Sequence, residues 1–141
     1  MFLKKSGGVV CIRLVSGDDF FSSVKKALQE LNVRQAAIVS CVGMLKEVEL
    51  GTNYAKGKGY DLLRFPGPLE LVSVQGNAAY AGEELIVHAH VALGKEDGTL
   101  VGGHLLNAKV NVSCELFLLE VPFALHRKFE EETGLKGLYL D

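Results

Sequence analysis

Residues 83–106 read EELIVHAHVALGKEDGTLVGGHLL, and this stretch sets how the chain is laid out. Leu85, Val87, Ala89, Val91 and Leu93 alternate with Glu84, Ile86, His88, His90 and Ala92. A period of two is the mark of a β-strand with one apolar face. Lys95-Glu96-Asp97-Gly98 is a strong hairpin turn signal, so the chain is expected to reverse and return as a second strand. His88 and His90 then project from the same face, away from the continuous apolar one. His104 arrives on the returning segment.

Working outward, Val9 to Val15 reads as a strand ended by Ser16-Gly17. Asp18-Asp19 opens an amphipathic helix in which Phe20, Phe21, Val24, Ala27, Leu28 and Leu31 keep helical spacing. The acidic start suits the helix dipole, and Asn32 suits a left-handed cap. Ala36 to Val42 is apolar on both faces, as a central buried strand would be. Gly43 is expected to break it, with Leu45 to Leu50 forming another strand. Residues 51–68, rich in glycine and carrying Pro66 and Pro68, read as a mobile loop around Lys56–Gly59, free to cover a site or merely to connect. Leu69 to Tyr80 reads as a strand bent at Gly76, and Lys109 to Val121 as a long strand. The tail from Ala124 to Glu132 reads as a short helix stopped at Gly134. The sum is one α+β domain over residues 1–141: a mostly antiparallel (mixed) sheet packed by one main helix plus a short C-terminal helix.

Composition sets bounds on function. The chain has 141 residues, 48% hydrophobic, with a net charge of −2. Its pI is about 6.1 and its mean hydropathy +0.21. No apolar run approaches the roughly 20 residues that span a bilayer, and MFLKKSGG turns polar too early for a signal peptide. Cys11, Cys41 and Cys114 are odd in number and sit in apolar stretches, which suits free thiols in a reducing cytoplasm. Basic residues are scattered and no run of Lys and Arg exceeds two residues. That distribution argues against direct binding of duplex DNA, which asks for a basic face.

The histidines carry the chemistry. His88, His90 and His104 supply three nitrogen ligands with a fourth position free, the arrangement of reactive zinc; structural zinc is usually closed by four protein ligands. The alternative is a pair of ordinary histidines on a half-exposed strand. Gly102-Gly103, read as a tight turn, would give a small molecule room beside His104, which makes Gly103 a candidate substrate contact. Glu115 lies on the polar side of the last long strand and is the candidate catalytic carboxylate, provided that strand neighbours the histidines. Glu70, between Leu69 and Leu71, is a second candidate.

The ordered segments IRLVSGDDF, AAIVSCVGML, GPLELVSVQG, IVHAHVALGKEDGTLVGGHL and EETGLKGL resemble the plants-and-prokaryotes conserved (PPC) domain over nearly the whole chain, specifically a free-standing prokaryotic member. The histidine pair followed by DG and GGHL is the most specific piece. The resemblance implies a mixed α+β fold and a homotrimer, and the abundance of apolar strands agrees, since one helix cannot cover them all. Family members are often labelled DNA-binding because plant forms follow AT-hook segments. No Arg-Gly-Arg-Pro core occurs here, and the plant consensus Gly-Arg-Phe-Glu-Ile-Leu appears as Gly67-Pro68-Leu69-Glu70-Leu71-Val72, without its arginine.

The histidine pattern is also similar to that of acetolactate decarboxylase, whose zinc ligands map by pattern onto His88, His90 and His104. That enzyme adds a glutamate and an arginine, for which Glu115, Glu70, Arg13 and Arg64 are the nominees. Two functions follow as expectations. One is a trimeric metal-binding protein, with zinc or a similar divalent ion and room for a small anionic ligand. The other is a zinc-dependent lyase or hydrolase acting on a small carboxylated or carbonyl compound.

Overall fold

In the computed structural model, which describes residues 1–140, strands dominate and one helix packs on them. The strands run in chain order β1 (Phe2–Ser6), β2 (Val9–Val15), β3 (Ala36–Ala55), β4 (Gly59–Phe65), β5 (Leu69–Ala81), β6 (Glu84–Gly94), β7 (Leu100–Glu120), β8 (Leu125–Glu130) and β9 (Leu135–Leu140), with α1 (Phe20–Glu30) between β2 and β3. They form a single nine-stranded sheet ordered β1-β2-β7-β3-β5-β8-β9, with β4 paired to β3, and β6 paired to both β5 and β7. Every pairing is antiparallel except the short parallel bridge of β5 to β8 at Tyr80 and His126, so the sheet is mixed.

The helix forms where its periodicity puts it. Asp19 caps it, its carboxylate accepting from Ser22 N at 2.8 Å. Asn32, at φ 55°, ends it in the left-handed region. Phe20, Val24, Ala27 and Leu28 are fully buried against β2, β6 and β7. Beneath them lie Val10, Ile12 and Leu14 of β2 and Cys114, Leu116 and Leu118 of β7, all fully buried. This is the core, and it is one-sided. Val9 of β2, Phe117 and Leu119 of β7 and Val42 of the neighbouring β3 are each more than 40% exposed.

Four expectations need correcting. Gly43 does not end a strand: β3 runs on through it, and the register against β7 shifts between Gly43 and Leu45. Val112 breaks the alternation of β7 at this shift, standing exposed at φ 66°. A bulge absorbs the irregularity and the ladder resumes. Residues 51–68 are not an irregular loop but mostly the β3–β4 hairpin, in register from Val48 opposite Phe65 to Thr52 opposite Asp61. A glycine-flanked turn signals a hairpin as readily as a loop.

The C-terminal helix does not form. Leu125–Glu130 is strand β8, paired in full with β9. A nine-residue helix is marginal alone, whereas the β9 return and the open edge of β5 satisfy the same backbone groups. Finally, Gly102-Gly103 is no turn; both residues lie inside β7, opposite Ala92 and Val91.

Candidate metal centre

Register assembles the histidines. His90 and His104 are direct cross-strand partners on β6 and β7, and His88 follows two residues away on the same face of β6. His104 Nδ1 lies 3.3 Å from His90 Nε2. The three ring centroids are 5.0–5.1 Å apart, and one nitrogen from each ring falls within 4.8 Å of the others. With metal–nitrogen bonds of about 2.0–2.1 Å, neighbouring ligands of a tetrahedral ion sit about 3.3 Å apart. The His90–His104 pair stands at that spacing, and His88 completes a donor set of three imidazoles suited to a divalent ion with one position left open. Burial favours the uncharged form of His88 and His104. Desolvation, with His88 and His90 adjacent, pushes the His104 imidazole down to about 4. Desolvation and then the charges of Arg127 and His90 lower His88. Neutral imidazole is the form that binds metal.

The β3–β4 hairpin supplies one wall. His104 stands opposite Gly51 of β3, and Tyr60 occupies the space a side chain there would fill: a Cβ on Gly51 would meet the Tyr60 ring at 2.7 Å. The Tyr60 ring in turn stacks on His104, centroids 4.9 Å apart and planes 16° apart. Gly103 is needed for packing rather than for a turn, since a Cβ there would come 2.9 Å from the Gly51 carbonyl oxygen.

The opposite wall comes from the β8–β9 hairpin. A cleft of about 430 Å³ runs between the two, with His88, His104 and Tyr60 on one side and Arg127, Phe129 and Leu135 on the other. Arg127 is only 9% exposed. Its Nη2 donates to Asn77 Oδ1 at 2.6 Å and its Nη1 to the Lys136 carbonyl at 2.9 Å, while Nε has no partner. Asn77 is the cross-strand partner of His88, so this bond tethers the guanidinium beside the histidines. The hairpin is held at its tip by Tyr54, whose hydroxyl donates to the Thr133 carbonyl at 2.8 Å.

The other nominated residues stand elsewhere in the chain. Glu115 is exposed and lies opposite Arg13 and Val42, eleven positions along β7 from His104, roughly 30 Å or more at strand rise. Glu70 is opposite Gly94 and Met44. Arg13 lies over the Phe2 ring, and Arg64 is ion-paired with Glu49. The fold thus brings His88, His90, His104 and Gly103 together and leaves the two glutamates and two arginines apart from them within the chain. Sequence reasoning missed Tyr60, Asn77 and Arg127. Only Arg127 left a trace: it sits between Leu125 and Phe129 in an alternating segment, on the side expected to be apolar.

Known proteins match this architecture. A metal-containing protein from Archaeoglobus fulgidus superposes with a TM-score of 0.84 at 31% identity, with 99% of each chain covered. A plant- and prokaryote-conserved (PPC) protein from Pyrococcus horikoshii does so with a TM-score of 0.81 at 27% identity, covering 96% of this chain and 93% of that one. A protein from Bacteroides thetaiotaomicron, provisionally described as DNA-binding, shares the fold with a TM-score of 0.90 at 22% identity, covering 99% and 96%. No curated protein matches. Residues 1–122 match the Plants and Prokaryotes Conserved (PCC) domain, and the chain belongs to that family.

Proposed function

We propose that this protein is a homotrimeric PCC-domain protein that binds a divalent metal ion, zinc foremost, through His88, His90 and His104, leaving one coordination position for a small molecule. The observation that carries this reading is the convergence of three imidazoles, with their ligand atoms within 4.8 Å of one another. Imidazole suits zinc, nickel and cobalt alike, and three protein ligands are the set that keeps a position open. The metal in the Archaeoglobus relative, 31% identical over nearly the whole chain, favours the same use here. Trimerisation is favoured by the apolar outer face of β2, β7 and β3, where Val9 stands opposite Leu119 and both are more than 40% exposed. Second and third copies are the natural cover for a sheet face of this kind.

A zinc-dependent lyase or hydrolase acting on a small carboxylated or carbonyl compound is the second reading, favoured by the cleft that opens beside the histidines. Its likeness to acetolactate decarboxylase rests on the histidine pattern alone. Direct DNA binding is not part of either reading. Lys5, Lys58, Lys109, Lys136 and Arg64 are each ion-paired with a carboxylate, and the net charge is −2, which disfavours a phosphate backbone. Among the described residues no helix is long and apolar enough to cross a membrane. The free thiols favour the cytoplasm.

Elemental analysis of protein purified without a histidine tag tests the metal. About one ion per chain is expected, with most of it gone in His90→Ala and in His104→Ala. Unchanged metal in both variants overturns the assignment.

A further inference from the structure

The β8–β9 hairpin lies beyond residues 1–122, the part matched to the family, yet it furnishes one whole wall of the cleft. Its chief polar contribution is Arg127, and the state of that side chain is unusual. It is nine-tenths buried. Among the described residues no carboxylate pairs with it, its two hydrogen bonds go to neutral oxygens, and Nε donates to nothing. Burying a charge without a counter-charge is costly, and an apolar side chain of similar volume would hold the hairpin with less penalty. What a guanidinium adds is a rigid planar fork of donors matched to a carboxylate. Desolvation strengthens that match, because water competes less for the donors.

We propose that the cleft binds a small carboxylic acid, its carboxylate held by Arg127 and a second oxygen directed at the metal position, with the C-terminal hairpin setting which acid is accepted. This rests on the metal reading above for its second contact only. A volume of about 430 Å³ is at the lower end of small-molecule sites, so the guest is a short acid and not a nucleotide. Ile86, Phe129 and Leu135 in the lining suit the short apolar chain of such an acid. A 2-oxo or 2-hydroxy acid has this pattern of two neighbouring oxygen donors and an apolar tail.

Calorimetry of zinc-loaded, tag-free protein with 2-oxobutyrate is the test, run beside inorganic phosphate and with elemental analysis of the same samples. Binding of 2-oxobutyrate is expected in the wild type and weaker by at least about tenfold in Arg127→Lys, which keeps the charge but loses the fork. Arg127→Met, which spares the packing, is expected to show the same loss with metal content unchanged. Unaltered binding in both variants overturns the proposal, as does phosphate binding as tightly as the acid. The two readings fail separately. Protein without metal that still binds the acid through Arg127 keeps this site and loses the metal. Metal-loaded protein whose acid binding ignores Arg127 keeps the metal and loses this site.

Discussion

Asn77 accepts a 2.6 Å hydrogen bond from Arg127 Nη2 while standing directly across the sheet from His88. One short polar side chain thereby fixes a buried cation next to the histidine cluster. The consequence for stability is asymmetric. Asn77→Ala leaves the guanidinium buried with one contact fewer and is expected to cost about 1–3 kcal/mol. Arg127→Met removes the charge with the contact and is expected to cost less, or nothing. Denaturant unfolding of both variants at equal protein concentration checks the order. The reverse order would mean that the guanidinium stabilises the fold in its own right.

Gly103 faces the β3 backbone. Gly103→Ala places a methyl group 2.9 Å from the Gly51 carbonyl oxygen, a backbone atom that cannot swing aside. A loss of about 1–3 kcal/mol is expected, with weaker metal retention because His104 is the next residue. Melting temperature and metal content read the two effects. If both match the wild type, β3 and β7 separate freely at this point.

The metal-free protein is expected to lose stability in mild acid. The folded state holds His104 at about 4 against an ordinary 6.5, so the unfolded chain takes up its proton first as pH falls. Stability is full above about pH 6.5, declines as pH drops toward about 4, and levels off below. Thermal melts of chelator-treated protein across this range should show that slope, and His104→Gln should flatten it. An identical slope in the variant would place its origin elsewhere.

Phe117 and Leu119 are 47% and 48% exposed on the open sheet face. Light scattering at micromolar concentration is expected to give about three times the 15.2 kDa chain mass. Phe117→Glu, which puts a charge into the contact, is expected to shift that value to the single chain. A wild-type monomer at micromolar concentration excludes the trimer.

Duplex DNA is expected to bind weakly and only at low salt. With cations scattered and a net charge of −2, few counterions are released on contact. Fluorescence anisotropy with a random duplex at roughly 150 mM salt should show no micromolar association. Tight binding there, lost on replacing Lys25 and Lys26, would reverse this view.

Local pattern was enough to read much of this protein. The period of two in residues 85–93 gave strand β6 and its buried face, and the helical period of residues 20–31 gave α1 with its caps. KEDG gave the turn that returns the chain toward His104. Each rests on neighbours within a few residues, where backbone geometry alone decides which side chains share a face. Tertiary structure decided the rest. Tail residues 124–132 could be helix or strand on their own pattern, and pairing with β9 and the edge of β5 selected strand. The placing of Tyr60 over Gly51 and of Arg127 against Asn77 depends on pairings between segments about 10 and 50 positions apart. The histidines were legible because a single hairpin carries all three; their cleft was not, because its walls come from two other hairpins that only the folded sheet brings alongside.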